Sequence, residues 1–220
     1  MFTGFSQKTI DFMWNIRFNN SKEWFEAHKN EYKEDFHTPM KELGQEVFAR
    51  INSEYADRGF IHKLSRIYKD ARRVRDGNFY RDNLWFSVEK FSLGEDNSGI
   101  LTFWFDLNPE GYSYGLGYYA AKADTMEKLR ERINKRPEDL EALIDLLATQ
   151  SKFKLEGPEY ARMKQAPTPK TQEWYNKKSF SMIHYGEIDE ELFSPDFVDC
   201  IVNGYKFLMP FYDYFIMTDV

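Results

Sequence analysis

The chain opens on a helical pattern of apolar positions. Ile10, Met13 and Trp14 recur at helical spacing behind Ser6, a side chain suited to an N-cap, and Phe5 and Ile10 stand at the separation of a hydrophobic staple. Asn19-Asn20 breaks this helix. Asn20 to Glu23 has capping-box spacing and predicts a second helix with Trp24, Phe25, His28, Tyr32 and Phe36 inward. Thr38-Pro39 reads as an N-cap followed by proline at the first helical position. It starts a third helix lined by Met40, Leu43, Val47, Ile51 and Tyr55, which Asp57-Arg58-Gly59 closes.

The period then falls to two. Leu84, Phe86 and Val88 alternate with Trp85, Ser87 and Glu89; Leu101, Phe103 and Phe105 alternate with Thr102, Trp104 and Asp106. Tyr112, Tyr114, Leu116 and Tyr118 alternate with Ser113, Gly115 and Gly117. Gly94 to Gly99 reads as a polar loop, and Asn108-Pro109-Glu110-Gly111 as a hairpin turn. This predicts an antiparallel meander with one aromatic face. The glycines on its other face predict a close approach to the backbone by a helix or a ligand.

Helical spacing returns with Leu129 and Ile133 behind an Asp124–Glu127 capping pattern, then with Leu140, Leu143, Ile144 and Leu147 behind Pro137. Residues 151–168 read as a connecting loop of basic flavour, and Thr168-Pro169 as the cap of a short helix through Trp174. Phe180, Met182 and His184 alternate as a further strand. Ser194-Pro195-Asp196 starts a C-terminal helix with Val198, Ile201, Val202, Tyr205, Leu208, Met209 and Tyr212 inward and Pro210 as a kink. With no repeat, low-complexity tract or linker, the pattern predicts a single α+β domain over residues 1–220. Its antiparallel β-meander sheet is packed by the N-terminal and C-terminal helices.

Composition sharpens this picture. At 220 residues with 42% hydrophobic and 18% aromatic content (Phe 20, Tyr 14, Trp 5), the chain predicts a core rich in rings. A net charge of -6 makes nucleic-acid binding the least favoured reading, since that needs a basic face. One cysteine, Cys200, excludes an internal disulfide and a cysteine-based zinc site and fits a reducing compartment. The start, MFTGFSQKTIDF, lacks the form of a signal peptide, and no apolar run reaches the ~20 residues of a membrane span. A cytoplasmic protein is expected, with no membrane partner.

Against that acidic background, Ser65 to Asp82 reverses the sign: Arg66, Lys69, Arg72, Arg73, Arg75 and Arg81 face only Asp70, Asp76 and Asp82. If Arg66 to Arg72 is extended, Arg66, Tyr68, Asp70 and Arg72 share one face and Ser65, Ile67, Lys69 and Ala71 the other. Two guanidinium groups then flank a carboxylate. Guanidinium grips carboxylate or phosphate through paired hydrogen bonds, so Asp70 can hold one arginine and leave the other for a ligand. Asp76-Gly77-Asn78 predicts a turn that folds Arg73, Arg75 and Tyr80 back over the same face. An ion-pair network on a solvated strand is the competing account.

Other motifs exclude more than they offer. Gly115-Leu116-Gly117-Tyr118-Tyr119-Ala120 fits G-x-G-x-x-A, but its glycines alternate with tyrosines inside an antiparallel strand, without a βαβ unit. His28, His37, His62 and His184 stand at no recognised metal-ligand spacing, so no metal and no cofactor are expected. No Walker lysine, G-x-S-x-G or H-E-x-x-H is present. Asn19-Asn20-Ser21-Lys22-Glu23-Trp24-Phe25 reads as a helix cap with two core aromatics, or alternatively as a pocket rim carrying the asparagine amides and Trp24, with Glu23 and Tyr32 as secondary candidates.

That stretch, together with Arg66-Ile67-Tyr68-Lys69-Asp70-Ala71-Arg72, resembles the bacterial domain of unknown function 2461 family, whose pattern pairs N-N-x-x-x-W-F with a distant R-x-x-[RK]-D-x-R. The likeness continues through Gly115 to Tyr119, Leu129 to Ile133 and Lys178-Ser179-Phe180. Family members usually follow the arginine motif with phenylalanine and D-K-x-P-Y; here Asp76 and Tyr80 match and the lysine and proline do not. The resemblance implies a single α+β domain and supplies no reaction, substrate or partner.

Two functions follow as expectations. One is a protein, enzymatic or not, that binds a small anionic ligand such as a phosphorylated metabolite or nucleotide. Arg66, Arg72, Arg73 and Arg75 would grip it, Tyr68, Tyr80, Asn20 and Trp24 would line the site, and Asp70 or Asp76 would be the first acid–base candidates. The other is a non-catalytic interaction protein whose arginines form an ion-pair network and whose exposed aromatics, such as Trp85, Trp104 or Tyr112, meet a partner.

Overall fold

In the computed structural model, which describes residues 1–70, 72, 74, 77–91 and 99–216, Ser6 opens α1 (Gln7–Phe18). Thr9 Oγ1 accepts the Ser6 N–H at 3.3 Å, and Phe5 and Ile10 are both buried. Asn19 ends the helix by donating its side-chain amide to the Asn15 carbonyl at 2.9 Å.

The next helix starts one residue later than its capping pattern suggests. Ser21 Oγ, not Asn20, accepts the Trp24 N–H at 3.1 Å and caps α2 (Lys22–Ala27). A short α3 (Lys29–Glu31) leads into a π-turn (Tyr32–His37), which runs without a break into α4 (Thr38–Glu54). Thr38 is itself helical (φ -65, ψ -48), so it is not an N-cap. The cause of the π-turn is legible in Pro39. Proline has no N–H for the carbonyl of Asp35 four residues back, and that carbonyl instead accepts the hydroxyl of fully buried Thr9 at 2.5 Å. A 3-10 turn (Ala56–Arg58) and left-handed Gly59 (φ 63) close the segment.

Six strands follow: β1 (Phe60–Leu64), β2 (Leu84–Lys90), β3 (Leu101–Asn108), β4 (Gly111–Tyr118), β5 (Lys154–Glu156) and β6 (Ser181–Gly186). They form one antiparallel sheet in the order β1-β2-β3-β4-β6-β5, so the fold is α+β. Alternation is clean in β3, whose Leu101, Phe103, Phe105 and Leu107 are buried. In β2, Ser87 and Glu89 are buried as well, so that strand is covered on both faces at its centre. β1 and β5 lie in stretches whose pattern predicts no strand; β5 pairs Leu155 with Met182 of β6. Gly115 and Gly117 are approached closely by the backbone of the adjacent strand segment, not by a helix. The carbonyls of Met182 in β6 and of Phe180, the residue just before it, occupy the space a Cβ would need.

The remaining helices are α5 (Ala123–Lys135), α6 (Pro137–Ala148), α7 (Gln172–Tyr175) and α8 (Phe197–Phe215). Asp124 sits inside the first turn of α5, whose N-cap is Lys122, and α7 starts after Thr171 instead of Thr168. α8 continues through Pro210.

By their contacts the residues fall into two compact units. Unit 1 comprises Met1–Val88, Trp104–Tyr114 and Tyr185–Asn203. Its rings pack around Phe105, with Phe86 at 5.3 Å and Phe197 at 5.7 Å between centroids. Unit 2 comprises Glu89–Phe103, Gly115–His184 and Gly204–Val220. There Phe103 meets Tyr205 at 4.9 Å and Phe180 meets Phe215 at 4.7 Å. Among the described residues no helix is long and apolar enough to cross a membrane.

Candidate functional site

The arginine stretch begins as an extended segment in unit 1. Ser65 N–H donates to the Trp85 carbonyl at 2.8 Å, Arg81 N–H to Ile67 at 2.7 Å and Lys69 N–H to Phe79 at 2.8 Å, with Tyr68 bridged to Tyr80. Side chains therefore alternate. Ser65 and Ile67 are buried, and Arg66 and Tyr68 are exposed. Ser65 adds a second tie, its Oγ accepting the Trp85 N–H at 2.9 Å.

Asp70 is engaged by Arg72. Arg72 Nε and Nη2 donate to the two carboxylate oxygens at 3.1 and 3.0 Å, and its backbone N–H donates to the first at 3.0 Å. This pair projects outward, with the Arg72 side chain 89% exposed. Arg66 makes no ion pair among the described residues. It lines a hollow of about 250 Å³ with Tyr32, His37, Leu64, Ser65, Ile67 and Tyr68.

The hollow owes its shape to the π-turn. Tyr32 and His37 are five residues apart and would diverge by about 140° on an α-helix. The wider winding brings their rings to 5.5 Å. Burial, with the charge of Tyr68 adding to it, pushes the Tyr32 hydroxyl well above the usual phenol range. Burial, then the neighbouring Lys41 ammonium, holds the His37 imidazole below its ordinary value. The lining thus offers one permanent cation, hydroxyl donors on Tyr32, Tyr68 and Ser65, and a neutral imidazole. His37 carries no motif spacing in the sequence; the one signal available was Pro39 forcing an extra residue into the turn before it.

The other candidates stand elsewhere. Tyr80 is buried, stacked on Phe25 at 4.3 Å and 5.3 Å from Tyr68, and burial raises its hydroxyl pKa. Asn20 holds the Tyr80 backbone and Trp24 stacks on His28 at 4.0 Å; neither lines the hollow. Arg73, Arg75 and Asp76 fall outside the described residues. Of the aromatics considered for a partner surface, Tyr112 is buried, Trp104 half-buried and Trp85 37% exposed. Tyr112 therefore offers no partner contact. No group of three or more His, Cys, Asp or Glu side chains positioned to hold a metal occurs among the described residues.

A family model described as conserved hypothetical protein (DUF2461) matches residues 8–214. No protein of curated function matches the chain.

Proposed function

The chain therefore belongs to the conserved hypothetical protein family DUF2461, and on that footing we propose that it binds a small anionic metabolite by its phosphate or carboxylate group in the hollow at Arg66. One observation carries the reading: the two arginines of the motif have different fates. Arg72 is held by Asp70 in a bidentate pair, while Arg66 faces the hollow with no carboxylate among the described residues. Size supports a head group over a whole nucleotide. At about 250 Å³ the hollow is smaller than the ~300–1,000 Å³ of ordinary ligand pockets. The neutral donors around Arg66 complement an oxyanion without adding a second charge to desolvate. Asp70, already engaged, is poorly placed for acid–base work; among the lining residues, His37 is the group that titrates nearest neutral pH.

The test is calorimetric titration with inorganic phosphate, acetate and a panel of sugar monophosphates on wild type, Arg66→Ala and Arg72→Ala. Arg66→Ala loses at least about tenfold in affinity, the worth of one charge-assisted contact, and Arg72→Ala much less. Equal affinity for wild type and Arg66→Ala overturns the reading.

A further inference from the structure

We infer that unit 2 carries a second anion site, built around Tyr160 and suited to a small polyanion of linked phosphate groups. α5 turns Arg130 onto its buried face beside Met126, Leu129 and Ile133, leaving the arginine 8% exposed. Its guanidinium lies 5.3 Å from the Tyr160 ring, and Lys178 Nζ lies 5.7 Å from the same ring. Arg130 Nη1 is sealed from solvent and has no hydrogen-bond partner among the described residues. A cation–π contact recovers only part of what burying a guanidinium costs.

Tyr160 also lines a hollow of about 730 Å³ with Arg162, Met163, Lys164 and Lys178. Tyr160 thus joins two sets of cations: Arg130 and Lys178 meet its ring, and Arg162, Lys164 and Lys178 line the hollow beside it. None of them has a carboxylate within 4 Å among the described residues, in a chain whose acidic groups outnumber its basic ones by 36 to 30. The adjacent Lys177 shows what a structural cation receives here. It is buried, and Glu159 at 2.9 Å and Glu173 at 3.5 Å neutralise it.

The basic loop is also held in place. Fully buried Asn176 donates its amide to the Lys164 carbonyl at 3.0 Å and accepts the Lys164 N–H at 2.7 Å, and its own carbonyl accepts the Tyr160 N–H at 3.0 Å. Gln172 adds a bond to the Lys164 carbonyl at 2.8 Å. Like charges fixed near one another repel, and an anion of matching charge relieves that repulsion without any ordering of the loop. The lining supplies charge more than a stacking surface, because the Tyr160 ring already meets two cations. A run of phosphates fits it better than a nucleobase. The volume lies within the ~300–1,000 Å³ of ligand pockets.

The experiment is calorimetric titration of the full chain at low ionic strength with sodium tripolyphosphate, pyrophosphate and inorganic phosphate. Tripolyphosphate binds most tightly, and Lys164→Gln/Lys178→Gln, both exposed positions, weakens it at least about tenfold. The same double variant leaves inorganic-phosphate binding at the Arg66 hollow unchanged, which separates the two sites. Absence of tripolyphosphate binding overturns the inference. So does equal binding by the double variant, or binding that is lost in Arg66→Ala and kept in the double variant. Retention of an oligonucleotide with no affinity for tripolyphosphate also overturns it.

Discussion

Asn20 grips Tyr80 with both ends of one amide. Its Nδ2 donates to the Tyr80 carbonyl at 3.0 Å, and the Tyr80 N–H donates to its Oδ1 at 2.9 Å. The side chain thus imitates a neighbouring strand, sixty residues away in sequence. It fixes the segment that bridges to Tyr68, and through that bridge the position of Arg66. Asn20→Ala removes both bonds and leaves two backbone groups in a part-buried place. A loss of about 1–3 kcal/mol is expected in chemical denaturation. An unchanged midpoint and slope would show that water replaces the amide.

The Arg66 hollow predicts a difference between two cations. Arg66→Lys keeps the charge and loses the planar fork that meets two oxygens at once. Phosphate affinity should fall between those of wild type and Arg66→Ala. A lysine variant as tight as wild type would mean that charge alone recruits the ligand.

His62 predicts a pH dependence. Burial lowers the pKa of both His62 and His37 from the ordinary value of 6.5, and His62 Nε2 has no hydrogen-bond partner among the described residues. The unfolded chain takes up protons near that value that the folded chain refuses. Stability is therefore full above about pH 6.5 and declines as pH falls toward the folded-state values. His62→Leu removes one of the two groups, so its stability should fall less than that of wild type between pH 7 and pH 5. Parallel curves would exclude His62 as a contributor.

Gly115 predicts a severe substitution. A Cβ there would run into the Met182 carbonyl of the adjacent strand, where no side chain can rotate out of the way. Gly115→Ala should cost about 3 kcal/mol or more, beyond ordinary overpacking, because β4 and β6 must part. A melting temperature close to wild type would show that the strands slide apart freely.

What could be read from the sequence depended on the range of the interaction. Strand β3 was plain because burial on one face writes itself into every second residue. The pairing of Asp70 with Arg72 was within reach because it spans two residues. The role of Asn20 was not, since its spacing to Glu23 imitates a cap that Ser21 provides. Strand β5 has three residues, too few for its alternation to stand out; β6 defines it. Arg130 left one faint signal, its place on the apolar stripe between Met126 and Ile133. The meaning of that place comes only from Tyr160, thirty residues on.

Thr9, Asp35 and Pro39 have a consequence for winding. Restoring an amide hydrogen at position 39 would give the Asp35 carbonyl a second donor, and ordinary helical winding would become a rival to the wide turn. In Pro39→Ala, amide resonances from residues 32–38 should double or broaden as the two windings exchange. The ring that cannot donate acts as a lock, and what it excludes is a second conformation of the wall that carries His37.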